Sequence, residues 1–162
     1  MSSQEEDQRP RIVAGVDGSP SSLSALRWAI RQAGLTGADV DAVIAWDYPN
    51  LAASGGYGMA VAEIEPSYDF REIAEKTVTD AIGSTLSPAS DVRVHARVIE
   101  GNPVQALLDA SAGADLLVVG SRGHGGFTEA LLGSVSQHLV QHALCPVVII
   151  RSEEAAEQGE LT

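Results

Sequence analysis

One cysteine, one lysine and few aromatic residues occur in this chain of 162 residues. Each scarcity excludes something. The single Cys145 rules out an internal disulfide. Placed just before Pro146 and an apolar run, it is expected to pack as a small apolar side chain. With aromatics at 4%, the core must be built from Val, Ile, Leu and Ala, a composition that suits small-residue helices on a parallel sheet. Basic charge is equally scarce, and the formal net charge is −12. That balance excludes sequence-independent binding to nucleic acid or to an anionic membrane, both of which need a positive surface. No apolar run approaches the roughly 20 residues that span a bilayer. The N-terminus is polar and acidic and reads as no secretory signal, so cytoplasmic residence is the expectation.

What is present is one domain's worth of alternating signals. The N-terminal tail, 1–10, carries Glu5, Glu6 and Asp7; the C-terminal tail, 152–162, carries Glu153, Glu154, Glu157 and Glu160. Both are expected to be solvated and disordered, flanking a domain over 11–151. A buried strand is expected over Arg11–Val16. Ser19 and Pro20 then suit the N-cap and first position of a helix, with Leu23, Leu26, Ala29, Ile30 and Ala33 inward and Gly34 and Gly37 closing it. Further strands are expected at Asp39–Trp46, Asp91–Ile99, Asp115–Val119 and Val147–Ile150. Helices are expected near 67–86, with Ile73, Thr77, Val78, Ala81 and Ile82 inward, over Pro103–Ala112, with Val104, Leu107 and Leu108 inward, and at 134–142. The connection from Asp47 to about Pro66 is unusually long for a compact domain. Regular alternation of strand and helix predicts an α/β fold: an open, Rossmann-like, five-stranded parallel sheet with helices on both faces. Ligands of such sheets lie beyond the C-terminal strand ends. Two of those ends carry chemistry here: Asp17-Gly18 and Gly120.

The segment Gly120-Ser121-Arg122-Gly123-His124-Gly125-Gly126, followed by Gly133-Ser134-Val135-Ser136, is the most informative feature. It leaves a buried strand and delivers the chain to a helix N-terminus, where backbone N–H groups and the helix dipole favour an anion. Ser134 and Ser136 could add hydroxyls, and Arg122 or His124 could add charge. The competing reading is a turn that ends in a serine-capped helix. A Walker loop is excluded because Lys76, the one lysine, is far from any glycine loop. The glycine fingerprint of dinucleotide folds is missing after the first strand, as is the Gly-x-Ser-x-Gly elbow. His138 and His142 have a zinc-compatible spacing of four, but no third ligand is evident.

The spacing Gly-x2-Gly-x9-Gly-Ser, at Gly120, Gly123, Gly133 and Ser134, resembles the ATP-binding signature of the universal stress protein family. The opening Ile-Val-Ala-Gly-Val-Asp-Gly-Ser and the ending Leu-Cys-Pro-Val-Val-Ile-Ile are also similar to that family, and the resemblance covers roughly 11–151. It implies strand order 3-2-1-4-5, ATP or AMP binding, a stress-response role and frequent dimerisation. It places Asp17 near the adenine and ribose, Ala45 and Trp46 beside the adenine, and Val119, Gly120, Arg122, Gly123, Gly133, Ser134 and Val135 around the phosphates. Two of these have competing readings: Asp17 as a helix-entry carboxylate and Trp46 as core packing. The cofactor expected is ATP carrying Mg2+ or Mn2+. The partners expected are a second copy of the chain, paired through the edge strand 147–150, and a regulatory protein. At most slow hydrolysis is expected, with no catalytic residue assigned. A nucleotide-using transferase or ATPase, or a nucleotide-free interaction dimer, are the alternatives.

Overall fold

The computed structural model describes residues 9–47, 69–122 and 132–152. Five strands, β1 (Arg11–Gly15), β2 (Asp39–Trp46), β3 (Val94–Glu100), β4 (Leu116–Gly120) and β5 (Val147–Ile150), form one sheet in the order β3-β2-β1-β4-β5. Every pairing is parallel; Ile12, for example, lies opposite both Val40 of β2 and Leu116 of β4. Helices α1 (Pro20–Thr36), α2 (Phe70–Thr85), α3 (Pro103–Ser111) and α4 (Ser134–His142) connect them. Parallel neighbours need crossover connections, and these lay helices on both faces.

The two faces carry separate cores. Under α1 and α2 lie Ile12, Ala14, Val40, Ala42 and Val118, packed against Leu26, Ala29, Ile30, Val78 and Ala81. Under α3 and α4 lie Val13, Val43, Leu117 and Val119, packed against Leu107, Ala110 and Leu139. Strand alternation makes this division: odd positions of β1 face α3, even positions face α1.

Boundaries differ from expectation in small ways. β1 stops at Gly15, one residue before Val16, although the Val16 N–H still donates to the Val43 carbonyl. β3 begins at Val94, not Asp91. Ser19 and Pro20 open α1 as expected, with Ser19 accepting from the Ser22 N–H, and Gly37 closes it. The inner face of α2 is as expected at Val78, Ala81 and Ile82, but in its first turn Ile73 is 48% exposed and Ala74 packs on the sheet instead. The long connection and both tails fall largely outside the described residues. Among the described residues no helix is long and apolar enough to cross a membrane.

On the α3 face β3 is only partly covered: Ile99 packs on the core, while His95 and Arg97 are exposed. Polar residues finish the sheet there. Asp41 is buried in β2 and accepts from the Arg11 guanidinium at 3.1 Å and from Arg97 at 3.3 Å. Arg11 also donates to the carbonyls of Ala110 and Ala112 at 2.8 and 2.9 Å, closing the C-terminal end of α3. A planar fork suits three acceptors better than an ammonium does. Arg11→Ala is expected to cost about 1–2 kcal/mol after allowance for its partial exposure. Arg11→Lys should restore less than half of that loss, as read from urea unfolding midpoints. Full restoration would reduce Arg11 to a simple positive charge.

Candidate functional site

The ends of β1 and β4 are neighbours in the sheet, and the chain departs from them in opposite directions, β1 toward α1 and β4 toward α4. This is the topological switch point, where open α/β sheets bind ligands. Asp17 and Gly18 stand at one lip and Gly120 to Arg122 at the other.

At the first lip the chain turns sharply. Gly18 has φ 82, a conformation that L side chains rarely adopt. Asp17 is exposed, and its Oδ1 accepts the Ser19 N–H at 2.8 Å, while its own N–H donates to Ser22 Oγ at 3.3 Å. Part of the carboxylate therefore serves helix entry, as the competing reading of this residue requires. Beside it lies an open groove of about 470 Å³ between α1 and α2, lined by Asp17, Leu23, Thr77, Asp80 and Ser84 among others. Its two carboxylates repel phosphate, so an anionic group would be held on the other side of Asp17.

At the second lip, Gly120 is a glycine for a reason of packing. A Cβ there would come within 2.7 Å of the Ser21 backbone carbonyl carbon in α1. The first turn of α1 crosses the end of β4 in contact with its backbone. Ser121 then donates its N–H to the Ile150 carbonyl at 2.8 Å, and its own carbonyl accepts the Gly133 N–H at 2.7 Å. The second of these bonds ties together the two roots of the glycine segment.

The N-terminus of α4 differs from the other three helices. Ser19, Asp69 and Asn102 cap α1, α2 and α3 with side-chain oxygens, whereas the cap of α4 is Gly133, with no side-chain bond. The first amides of a helix have no intrahelical partner, and among the described residues no side-chain oxygen caps those of α4. Gly133 has φ −67, which any residue adopts. Freedom of the backbone is therefore not why it is a glycine.

Ser134 is the first helical residue and exposed; it is not the cap that the sequence suggested. Ser136 is also reassigned: it is buried, and its hydroxyl donates to the Gly120 carbonyl at 2.7 Å, binding α4 to β4. Val119 is buried in the α3-side core, and Arg122 and Val135 are half-buried. Ala45 and Trp46 end β2 half-buried, with Trp46 packed against the α1-side core, in keeping with its packing role. Gly123 and His124 lie outside the described residues. On α4, His138 Nδ1 lies 2.7 Å from the Ser134 carbonyl, and the rings of His138 and His142 stack 6.5 Å apart.

Sequence reasoning missed Ser21, whose hydroxyl bonds the Arg122 backbone at the start of the glycine segment. The signal was present: Ser19, Ser21 and Ser22 are one hydroxyl more than a helix cap and its return bond require.

The model of the universal stress protein family matches residues 8–151. A universal stress protein of Mycolicibacterium smegmatis is 35% identical over 149 residues, which cover 90% of this chain and 47% of that protein. The chain thus spans about half the length of the curated relatives it matches. A universal stress protein solved in complex with cAMP is 25% identical with a TM-score of 0.56, the match covering 90% of this chain and 98% of that one. The Archaeoglobus fulgidus protein solved with dAMP aligns at 21% identity and a TM-score of 0.59, over 88% of this chain and 97% of that one, and shows the fold.

The packing of Gly120 can be tested apart from any ligand. Gly120→Ala is expected to lower stability by about 1–3 kcal/mol, the usual cost of forcing a methyl into a filled site. Thermal unfolding without nucleotide measures it. A variant as stable as the wild type would show that α1 can move away from β4.

Proposed function

The chain belongs to the universal stress protein family, and from that membership we propose that it binds ATP at the junction of β1, β4 and α4 and acts as a nucleotide-dependent regulator. One observation carries the ligand: α4 alone among the described helices begins without a side-chain cap, and it does so where the glycine segment returns. Amides left open at a helix N-terminus are donors aimed at an anion. The donor set fits a polyphosphate: backbone N–H groups of Ser134 and Val135, the exposed Ser134 hydroxyl, and the neighbouring Arg122.

In this reading Gly123 and Gly133 let the backbone approach the phosphates, Gly120 lets α1 pack against the root of the segment, and Val119 supports that root from the core. Asp17 faces the ribose and adenine, with Ala45 and Trp46 at the far wall. A solved relative carries cAMP, which supports an adenine nucleotide; the triphosphate is our own extension from the length of the loop. Bound ATP brings its divalent ion, Mg2+ or Mn2+, whose chemistry is to neutralise phosphate charge. The chain's own residues bind and orient. No residue is assigned to catalysis, and hydrolysis is at most slow. We place the protein in the cytoplasm, in the stress response, acting through a regulatory protein partner.

Gly133→Val tests the phosphate site cleanly, because φ −67 accommodates the branched side chain without backbone strain. Titration calorimetry should find no ATP binding while circular dichroism stays that of the wild type. Ser134→Ala, which removes one hydroxyl and leaves the amides, should weaken binding by about 0.5–1.5 kcal/mol. If Gly133→Val binds ATP as the wild type does, the segment is only a turn.

We propose further that the chain pairs with a second copy along β5. The strand lies at the sheet edge, is apolar throughout and is only half-buried. Leu144, just before it, is 95% exposed, and Val140 on α4 is 52% exposed. An apolar edge invites pairing with another chain. Light scattering should report a dimer at micromolar concentration, and Leu144→Asp should shift it toward monomer without unfolding it. A monomeric wild type would remove the proposal.

A further inference from the structure

The second half of α4 carries two histidines that the nucleotide reading does not use. The helix reads Ser-Val-Ser-Gln-His-Leu-Val-Gln-His over Ser134–His142. His138 and His142 stand four apart, so they project from one side of the helix, one turn from each other. Both are exposed, and their ring centroids lie 6.5 Å apart with the planes at 25°.

A single hydrogen bond fixes which nitrogen of His138 is bare. Its Nδ1 lies 2.7 Å from the Ser134 carbonyl oxygen. A carbonyl only accepts, so Nδ1 carries the hydrogen, and in the neutral ring Nε2 presents a lone pair. Metal-ligating imidazoles are oriented in the same way, by a bond from the other ring nitrogen to a carbonyl or carboxylate. Among the described residues no hydrogen bond holds the His142 ring, so it can turn toward its neighbour. Histidines four apart on a helix reach one zinc ion in the metalloprotease motif, and the spacing therefore permits chelation with the backbone unchanged.

The surroundings favour a cation. α4 carries no Lys, Arg, Asp or Glu, and His142 is its last residue, where the helix dipole is negative. The formal charge of the chain, −12, raises the local concentration of cations. Nitrogen donors then select among them: imidazole suits Zn2+, Ni2+ and Cu2+, whereas Mg2+ and Ca2+ take oxygen. No third His, Cys, Asp or Glu joins the pair among the described residues, which leaves the remaining coordination positions to water.

We propose that His138 and His142 chelate a divalent transition-metal ion of the Cu2+ and Zn2+ class, through Nε2 of His138 and the imidazole of His142. The proposal is independent of the nucleotide reading, because an ion carried by ATP is held by phosphate oxygens and needs no imidazole.

Copper is the probe, since Cu2+ heads the affinity order for nitrogen donors. The full chain, free of nucleotide, is titrated with Cu2+ by calorimetry, and the bound ion is examined by electron paramagnetic resonance. One equivalent should bind with the hyperfine pattern of two imidazole nitrogens, and excess Mg2+ should not displace it. His138→Gln and His142→Gln should each weaken Cu2+ about tenfold or more, since loss of even an outer-shell partner costs that much. Glutamine is a good helix former, and unchanged circular dichroism would separate loss of metal from loss of α4. His95→Gln, at an exposed histidine on β3, should bind as the wild type does. Wild-type affinity in His138→Gln or His142→Gln would overturn the site. So would an equal loss in His95→Gln, which would make the copper adventitious, or a wild type that takes up no Cu2+ at micromolar concentration.

Discussion

The first turn of α1 lies against the end of β4 with no room for a side chain between them, and the geometry of the upper sheet depends on that contact. Gly120 makes it possible. The Gly120 carbonyl accepts from Ser136 and so fixes α4, and the next N–H, that of Ser121, holds the last carbonyl of β5. Three elements distant in sequence are thus referred to one peptide. A displacement of α1 by the thickness of a methyl group would be felt at the loop roots and at the edge strand together, because packed interiors transmit strain rather than absorb it.

Most of the fold was legible because its signals are redundant. β2, α4 and β5 have their expected limits, since each has a clear boundary at one end: Asp47 after β2, Gly133 before α4 and Pro146 before β5. The architecture followed from alternation alone, while the strand order needed the family resemblance. Along α2, Ile73 and Ala74 compete for the inner position, and hydrophobicity favours Ile73. A parallel sheet covered by closely packed helices favours the small residue, and the larger one is left at the surface. Along β3, alternation identified the strand but not its first residue: the Arg93 carbonyl still accepts the Val40 N–H, yet the strand begins at Val94, because a pairing register is not written in one strand.

For the candidate site, spacing marked a segment, and the structure shows packing roles for some of its residues that spacing does not reveal. Glycines read as ligand contacts divide on inspection: Gly120 answers to α1, Gly18 to a turn with positive φ, and Gly133 to neither. Serines divide in the same way. A hydroxyl beside a loop is equally a ligand donor or a support in any sequence, and only three dimensions separate exposed Ser134 from buried Ser136. Ser21 showed locally only as a spare hydroxyl beside the helix cap; its partner is 101 residues away, and no local pattern names that partner.

The acidity of the chain and a site for an anion are reconcilable on distance. Twenty-two carboxylates against ten Lys and Arg give a repulsive surface, but charges farther than about 8–10 Å are screened at physiological salt. The field of a helix N-terminus acts within its first turn, so the amides of α4 dominate at contact whatever the sign of the remote surface. The two effects then separate ligands by size. A nucleic acid needs a continuous positive track to release its counterions, which this surface denies it. A small phosphate ester needs only a few donors at one point. In the proposed reading, acidity restricts the anion site to compact ligands, and the neutral amide, unlike a lysine, makes that possible without adding a basic patch.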